Sequence, residues 1–224
     1  LGDIVGRLIE LNHVIRDGMP VYPGLPTPKI TTFLSHKESR SRYDWRAEFH
    51  IGRLEMVGNT ATYLDSPFHR YPDALDLSQI PIERVAALQG IVLDAETLDR
   101  EVRIENLEFD RRELENKAVL IRTGWDQRWG SEAYWEPGPY LSEELSDYLV
   151  ESKAALVGVD FWNVDDIFNP ARPVHTKLLA ASILIVENLC NLFALPRRNF
   201  RFYAVPLRIA KGSSIPVRAF AEID

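Results

Sequence analysis

The sequence predicts an α/β fold that contains both a mixed and an antiparallel sheet. Short apolar runs typical of buried strands recur through the second half, helical spacing separates them, and the first sixty residues alternate polar with aromatic side chains instead. Along the chain, 19–28 (MPVYPGLPTP) carries the proline and glycine punctuation of a surface loop, with Tyr22 inside it. Residues 44–56 (DWRAEFHIGRLEM) have the period of two expected of an antiparallel hairpin with one wet face. A helix is expected at 81–88 (PIERVAAL), then strands at 90–94 (GIVLD) and 118–125 (AVLIRTGW). A second loop, 135–142 (WEPGPYLS), leads into a helix at 142–153 whose N-cap is Ser142. Strands at 154–160 (AALVGVD) and 183–188 (ILIVEN) enclose a helix at 176–182 (TKLLAAS).

A chain of 224 residues with 46% hydrophobic content has enough apolar surface for one sizeable core, and one domain spanning 1–224 is expected. The net charge is −7 and the basic residues are scattered apart from Arg197-Arg198, which argues against nucleic acid as a partner. A single cysteine, Cys190, excludes an internal disulfide and fits a reducing compartment or a small buried residue. No apolar segment approaches the roughly 18 residues of a membrane span, and no secretory leader pattern opens the chain. A soluble, cytoplasmic protein without membrane partners is expected. The sequence opens at Leu1 rather than Met, so residues upstream are expected.

The densest chemistry lies in 58–78 (GNTATYLDSPFHRYPDALDLS). Pro67 pushes Ser66 out of the α region, so Asp65 and His69 project from a strand-to-loop junction. Asp65 either caps a turn beginning at Pro67 or stands as a reactive carboxylate beside His69. Glu187 follows four apolar β-formers, where a buried carboxylate requires a cation, either a metal or an arginine such as Arg122. His175 precedes a helix by one residue, and there it caps that helix, faces the strand ends or lies on the surface. Asp160, closing LVGVD, has the same strand-end character or serves as a cap or salt-bridge partner. Asp, Glu and neutral His form the ligand set of Zn²⁺ or Mn²⁺, and two carboxylates balance a divalent charge. Asp65, His175 and Glu187, with His69 shuttling a proton, fill these roles, although spacing alone does not bring them together.

Laid over 59–69, the signature H-x-G-T-H-x-D-x-P-x-H matches at Thr62, Asp65, Pro67 and His69, while Asn59, Ala61 and Tyr63 replace two histidines and the glycine. With MPVYPG, IRTGW, LVGVD, VHTKLL…IVENL and SSIPVRAFA, this resembles the cyclase-like family of metal-dependent hydrolases, which includes bacterial kynurenine formamidases and isatin hydrolase. The resemblance implies the swivelling β/β/α fold. It also implies a second metal position made of Asp65, His175 and, twelve residues later, Glu187. The first position, which in the family uses both signature histidines, keeps only the shared carboxylates. One divalent metal, Zn²⁺ or Mn²⁺, or none, is therefore expected, with His50 a candidate replacement imidazole. His69 aligns with the family's proton donor and acceptor, Tyr22 with an aromatic that contacts substrate, and Asn59 is expected beside it; Tyr63 is a candidate acid or hydrogen-bond donor. The resemblance implies hydrolysis of an amide, formamide or lactam-type bond in a small aromatic or cyclic substrate by a homodimer or homotetramer. Two alternatives stand beside it: a small-molecule binding protein, or a metal-free acid/base enzyme or cyclase using Tyr63, Asp65 and His69.

Overall fold

A computed structural model describes residues 6–95 and 99–223. Its strands are β1 (Arg7–Glu10), β2 (Lys29–Leu34), β3 (Ile51–Glu55), β4 (Tyr63–Asp65), β5 (Leu88–Asp94), β6 (Glu101–Val102), β7 (Ala118–Arg122), β8 (Tyr140–Leu141), β9 (Leu156–Val159), β10 (Leu184–Glu187), β11 (Phe200–Tyr203), β12 (Ser214–Pro216) and β13 (Phe220–Ile223). The helices are α1 (His36–Ser39), α2 (Glu143–Glu151) and α3 (Pro173–Ala180). Nine strands form one sheet in the order β1-β13-β11-β5-β7-β9-β10-β4-β12; β2–β3 and β6–β8 form two small sheets. Within the nine-stranded sheet β5, β7, β9 and β10 are parallel and the strands flanking them pair antiparallel; β2 and β3 pair antiparallel, β6 and β8 parallel. This is the mixed α/β architecture that the apolar runs predict.

The four parallel strands are apolar on both faces because both faces are covered. Ile91, Leu93, Val119, Ile121, Val157, Val159 and Ile185 pack with Leu145 and Leu149 of α2 and Leu178 and Leu179 of α3. Val92, Leu120, Leu156, Leu184 and Val186 point the other way, among Leu11, Leu77, Leu189, Leu192, Phe200 and Phe202. The period-two split between these clusters is the pleat itself. Ser142 caps α2, its hydroxyl accepting from the Leu145 N–H at 3.0 Å. No helix among the described residues is long and apolar enough to cross a membrane.

Three element predictions require correction. At 81–88 only a short turn, Ile82–Arg84, forms; Ala87 takes a left-handed backbone (φ 54°), and Leu88 already belongs to β5. The spacing of Ile82, Val85 and Leu88 suits a helix, yet Leu88 pairs with Phe202 across β11, and that sheet contact outweighs a weak local preference. The hairpin expected at 44–56 is a strand only at Ile51–Glu55, because Asp44 and Trp45 have positive φ. That strand pairs with β2 and is exposed on both faces rather than one. The helix expected at 176–182 is α3, which begins three residues earlier at Pro173, a residue preorganised for a first helical turn. His175 therefore lies inside the helix and not ahead of it.

Candidate metal centre

β4 lies between β10 and β12, and its register assembles the centre. Tyr63 stands opposite Glu187 and Pro216, and Asp65 opposite Ile185 and Ser214. Side chains two apart on a strand share a face, as do directly opposed residues on neighbouring strands. Tyr63, Asp65, Glu187 and Ser214 consequently project together, on the face covered by α3, while Leu64 and Val186 enter the opposite core. A slip of one residue would exchange the two sets.

Helix α3 supplies the imidazole. Arg172 occupies its N-cap position without a capping side-chain bond, and Asp165 performs that role from outside the helix. Its Oδ1 accepts the Val174 N–H at 2.7 Å, and its Oδ2 accepts the His175 N–H at 3.1 Å and faces His175 Nδ1 at 2.6 Å. With Nδ1 held there, His175 Nε2 is turned to Asp65 Oδ2 at 3.8 Å and Glu187 Oε1 at 3.7 Å. The ligand atoms of Asp65, His69 and His175 also lie within 4.8 Å of one another. Glu187 Oε1 accepts the Val164 N–H at 2.7 Å, and Oε2 accepts the Tyr63 hydroxyl.

Asp65 decides whether a cation fits. Its Oδ1 accepts from the Ser214 hydroxyl and, at 3.4 Å, from the Asn59 amide, but its fully buried Oδ2 has no hydrogen-bond partner. An unsatisfied buried carboxylate oxygen is costly, and a divalent cation between it and His175 Nε2 removes the cost. The donor set, two buried carboxylates and one imidazole anchored through its other nitrogen, fits Zn²⁺ or Mn²⁺. Electrostatics agree. Burial would depress the His175 imidazole, yet Asp165, Asp65 and Glu187 together hold it up at about 10, so this spot favours positive charge. Burial pushes Glu187 up to about 7 against the pull of His175. Burial and the adjacent carboxylates Glu187 and Asp65 lift the Tyr63 phenol well above its ordinary range, which disfavours phenolate there.

His69, on the turn Pro67–His69, is exposed, with Nδ1 3.2 Å from Ser214 Oγ and 3.9 Å from Asp65 Oδ1. Because the Ser214 hydroxyl donates to Asp65, only its lone pairs face His69, so Nδ1 must carry the proton in the neutral ring and Nε2 remains free. Tyr22, Asn59, Tyr63, His69, His175 and Glu187 all line one cavity of about 410 Å³.

Other predicted partners lie elsewhere. Arg122 pairs with Asp94 and donates to the Leu192 carbonyl at 3.1 Å, so it is not the counter-ion of Glu187. His50 lies on the exposed β2–β3 arm, 3.1 Å from Thr32 Oγ1, and does not line the cavity. Asp160 caps the turn after β7, accepting from the Thr123 and Gly124 N–H groups, the latter at 2.7 Å. Cys190 is buried, which pushes its thiol up to about 12. Sequence reasoning missed Asp165, Ser214 and Arg172. An Asp eight residues ahead of a Pro-initiated helix is a weak capping signal for the first; the other two have none.

A mixed sheet that delivers two buried carboxylates to a helix-borne imidazole, beside an open cavity, defines an α/β protein with a carboxylate–histidine centre for small molecules. The chain belongs to the Cyclase family ("Putative cyclase"), whose family model matches residues 9–166. It is 25% identical over 212 residues to a kynurenine formamidase of Bacillus cereus, covering 94% of this chain and 95% of that protein. It is 26% identical over 220 residues to an isatin hydrolase of Roseibium aggregatum, covering 87% and 81%. Among solved structures, isatin hydrolase A from Ralstonia solanacearum superposes with a TM-score of 0.82 at 24% identity, covering 97% of this chain and 92% of that one. That likeness establishes the shared fold.

Proposed function

We propose that this chain is a metal-dependent hydrolase that opens an amide, formamide or lactam-type bond in a small aromatic or cyclic substrate, using one divalent cation, Zn²⁺ or Mn²⁺. The observation that carries the reading is the orphaned Asp65 Oδ2 facing His175 Nε2 at 3.8 Å, with Glu187 Oε1 on the same nitrogen at 3.7 Å. The formamidase and hydrolase activities for which the kynurenine formamidase and isatin hydrolase relatives are named support it. Asp65, His175 and Glu187 would hold the cation, which when bound polarises a carbonyl and acidifies a water. His69, with Nε2 free, accepts a proton and later returns it to the leaving nitrogen. The Ser214 hydroxyl fixes the His69 tautomer and neutralises part of the Asp65 charge. Tyr63 donates to Glu187 and Asn59 to Asp65, so both residues are engaged with carboxylates at the positions where the family signature carries histidines. Residence in the cytoplasm, a single domain and a homodimeric or homotetrameric assembly belong to the same reading.

A second reading, a binding protein that has lost hydrolysis, is favoured by Tyr63, whose hydroxyl occupies one oxygen of Glu187. Elemental analysis of protein purified without a chelating tag, coupled to an aryl-formamide hydrolysis assay, separates the two. About one Zn or Mn per chain, lost together with activity in Asp65→Ala and Glu187→Ala, is expected, and Asn59→His with Tyr63→His raises the stoichiometry toward two. Full metal loading without turnover of any aryl amide selects the binding protein; no metal at any loading refutes the cation site.

A further inference from the structure

Two arginines line the cavity beside the carboxylate–histidine centre, and neither is ion-paired with a carboxylate among the described residues. Elsewhere some arginines pair with acids, Arg40 with Glu48, Arg100 with Asp166, Arg103 with Glu101, Arg198 with Glu113 and Arg218 with Glu10, while others, such as Arg84 and Arg208, donate to backbone carbonyls. Arg172 instead donates from Nη1 to Asn163 Oδ1 at 3.1 Å and from Nη2 to the Tyr22 hydroxyl at 3.0 Å, two neutral acceptors. Arg70 donates from Nε to Thr176 Oγ1 at 3.0 Å, again neutral. A guanidinium has five donors, so both retain unused N–H groups.

The backbone points the same way. Arg172 is left-handed, φ 49° and ψ 56°, and immediately precedes Pro173, an arrangement that is unfavourable for a residue with a Cβ and doubly so before proline. Such a backbone persists only where surrounding contacts hold the residue in place. The contacts are present: Asn163 Oδ1 is itself oriented by the Asp165 N–H at 2.9 Å, and Tyr22 packs edge-on against Trp162 at 5.2 Å. The helix terminus offers no competing anion site, because Pro173 lacks an N–H and Asp165 consumes those of Val174 and His175.

Charge counting completes the argument. Asp65 and Glu187 together neutralise one divalent cation, with His175 neutral as a ligand; the Asp165 carboxylate behind His175 offsets one arginine, so Arg70 and Arg172 together leave the site with one excess positive charge. We infer that the cavity selects substrates bearing a carboxylate, and that Arg172 is the specificity-determining residue that receives it, with Arg70 adding charge at the rim. A planar fork of donors held at a fixed angle suits a planar carboxylate better than a point charge does. The inference rests on the cavity being the substrate site of the proposed hydrolase.

Calorimetric titration of the metal-loaded protein with benzoate and with the neutral isostere benzamide tests it without requiring turnover. Wild type binds benzoate about 10–100-fold tighter, the range of one charge-assisted hydrogen-bonded contact. Arg172→Gln removes most of that preference, leaving only the few-fold share of Arg70, and Arg172→Lys restores part of it. Arg70→Gln, an exposed change that does not disturb packing, lowers benzoate affinity about two- to five-fold and leaves benzamide alone, as expected for a rim charge partly screened by solvent. A preference that survives intact in Arg172→Gln means the carboxylate goes to the cation and overturns the inference, as does equal binding of both probes by wild type. Arg172-dependent selection without turnover of any aryl amide removes the hydrolase reading alone; turnover with no Arg172 dependence removes this inference alone.

Discussion

At His175 one imidazole meets three carboxylates, and Asp165 determines which way the ring points. Asp165 also accepts two backbone N–H groups of α3, so Asp165→Ala removes a cap and an anchor together. The expected loss is about 1–2 kcal/mol of stability and about 10–100-fold in metal affinity, read by chemical denaturation and by competition with a chelator; full retention of both would show that His175 orients itself. His13 supplies a separate test. It stacks on Trp129 with ring centroids 3.7 Å apart, its Nε2 is buried without a partner, and burial lowers its pKa to about 4. Between pH 4 and 6.5 the unfolded chain binds a proton at His13 that the folded one does not, so stability rises with pH across this window. His13→Phe flattens that slope, and a histidine resonance titrating near 6.5 for His13 in the folded protein would contradict the burial argument. Asp65 and His69 are legible in the sequence because a proline between an acid and a histidine marks a strand-to-loop junction. Ser214 and Arg172 are not, since a serine in a short strand and an arginine before a proline look the same whether or not a cavity lies beside them.

Among the elements, β4 is the shortest strand that matters, because three residues set the registry of the whole centre. Its approach is controlled by Gly58, where a Cβ would lie 2.3 Å from the carbonyl oxygen of Ser214. That neighbour is backbone of β12 and cannot rotate away, so Gly58→Ala pushes the loop ahead of β4 away from β12. A loss of about 1–3 kcal/mol is expected, with Ser214 displaced from Asp65, and the thermal midpoint together with the pH profile of any hydrolytic activity reads both. An unchanged midpoint would mean that the strand end gives freely. The central strands were readable because burial on both faces demands uninterrupted apolar runs. The failed helix at 81–88 and the mistaken start of α3 have a different cause. There local spacing is ambiguous, and the outcome rests on a cross-strand partner far away in the chain, Phe202, and on Pro173 together with a cap, Asp165, supplied from eight residues ahead of the helix.

For the whole molecule, both apolar clusters share β5, β7, β9 and β10, one contributing from each face of the same strands. Neither cluster can be lost while the other persists, so unfolding in urea should be a single cooperative transition by tryptophan fluorescence and by far-ultraviolet circular dichroism; two separated midpoints would refute one domain. What the sequence determined by itself was the layering of the fold and the presence of isolated acids and a histidine at strand ends, because pleat, helix period and the cost of a buried charge act on neighbours in the chain. Period and local spacing left open which of those groups meet, and only the family resemblance grouped Asp65, His175 and Glu187; the contacts themselves are set by the tertiary structure. Glu187 reaches Tyr63 through antiparallel register, His175 reaches Asp65 through a helix docked on the sheet, and Arg172 reaches Tyr22 across 150 residues of chain. Convergence of that kind is set by packing between distant segments, which leaves no period or spacing in the sequence to read.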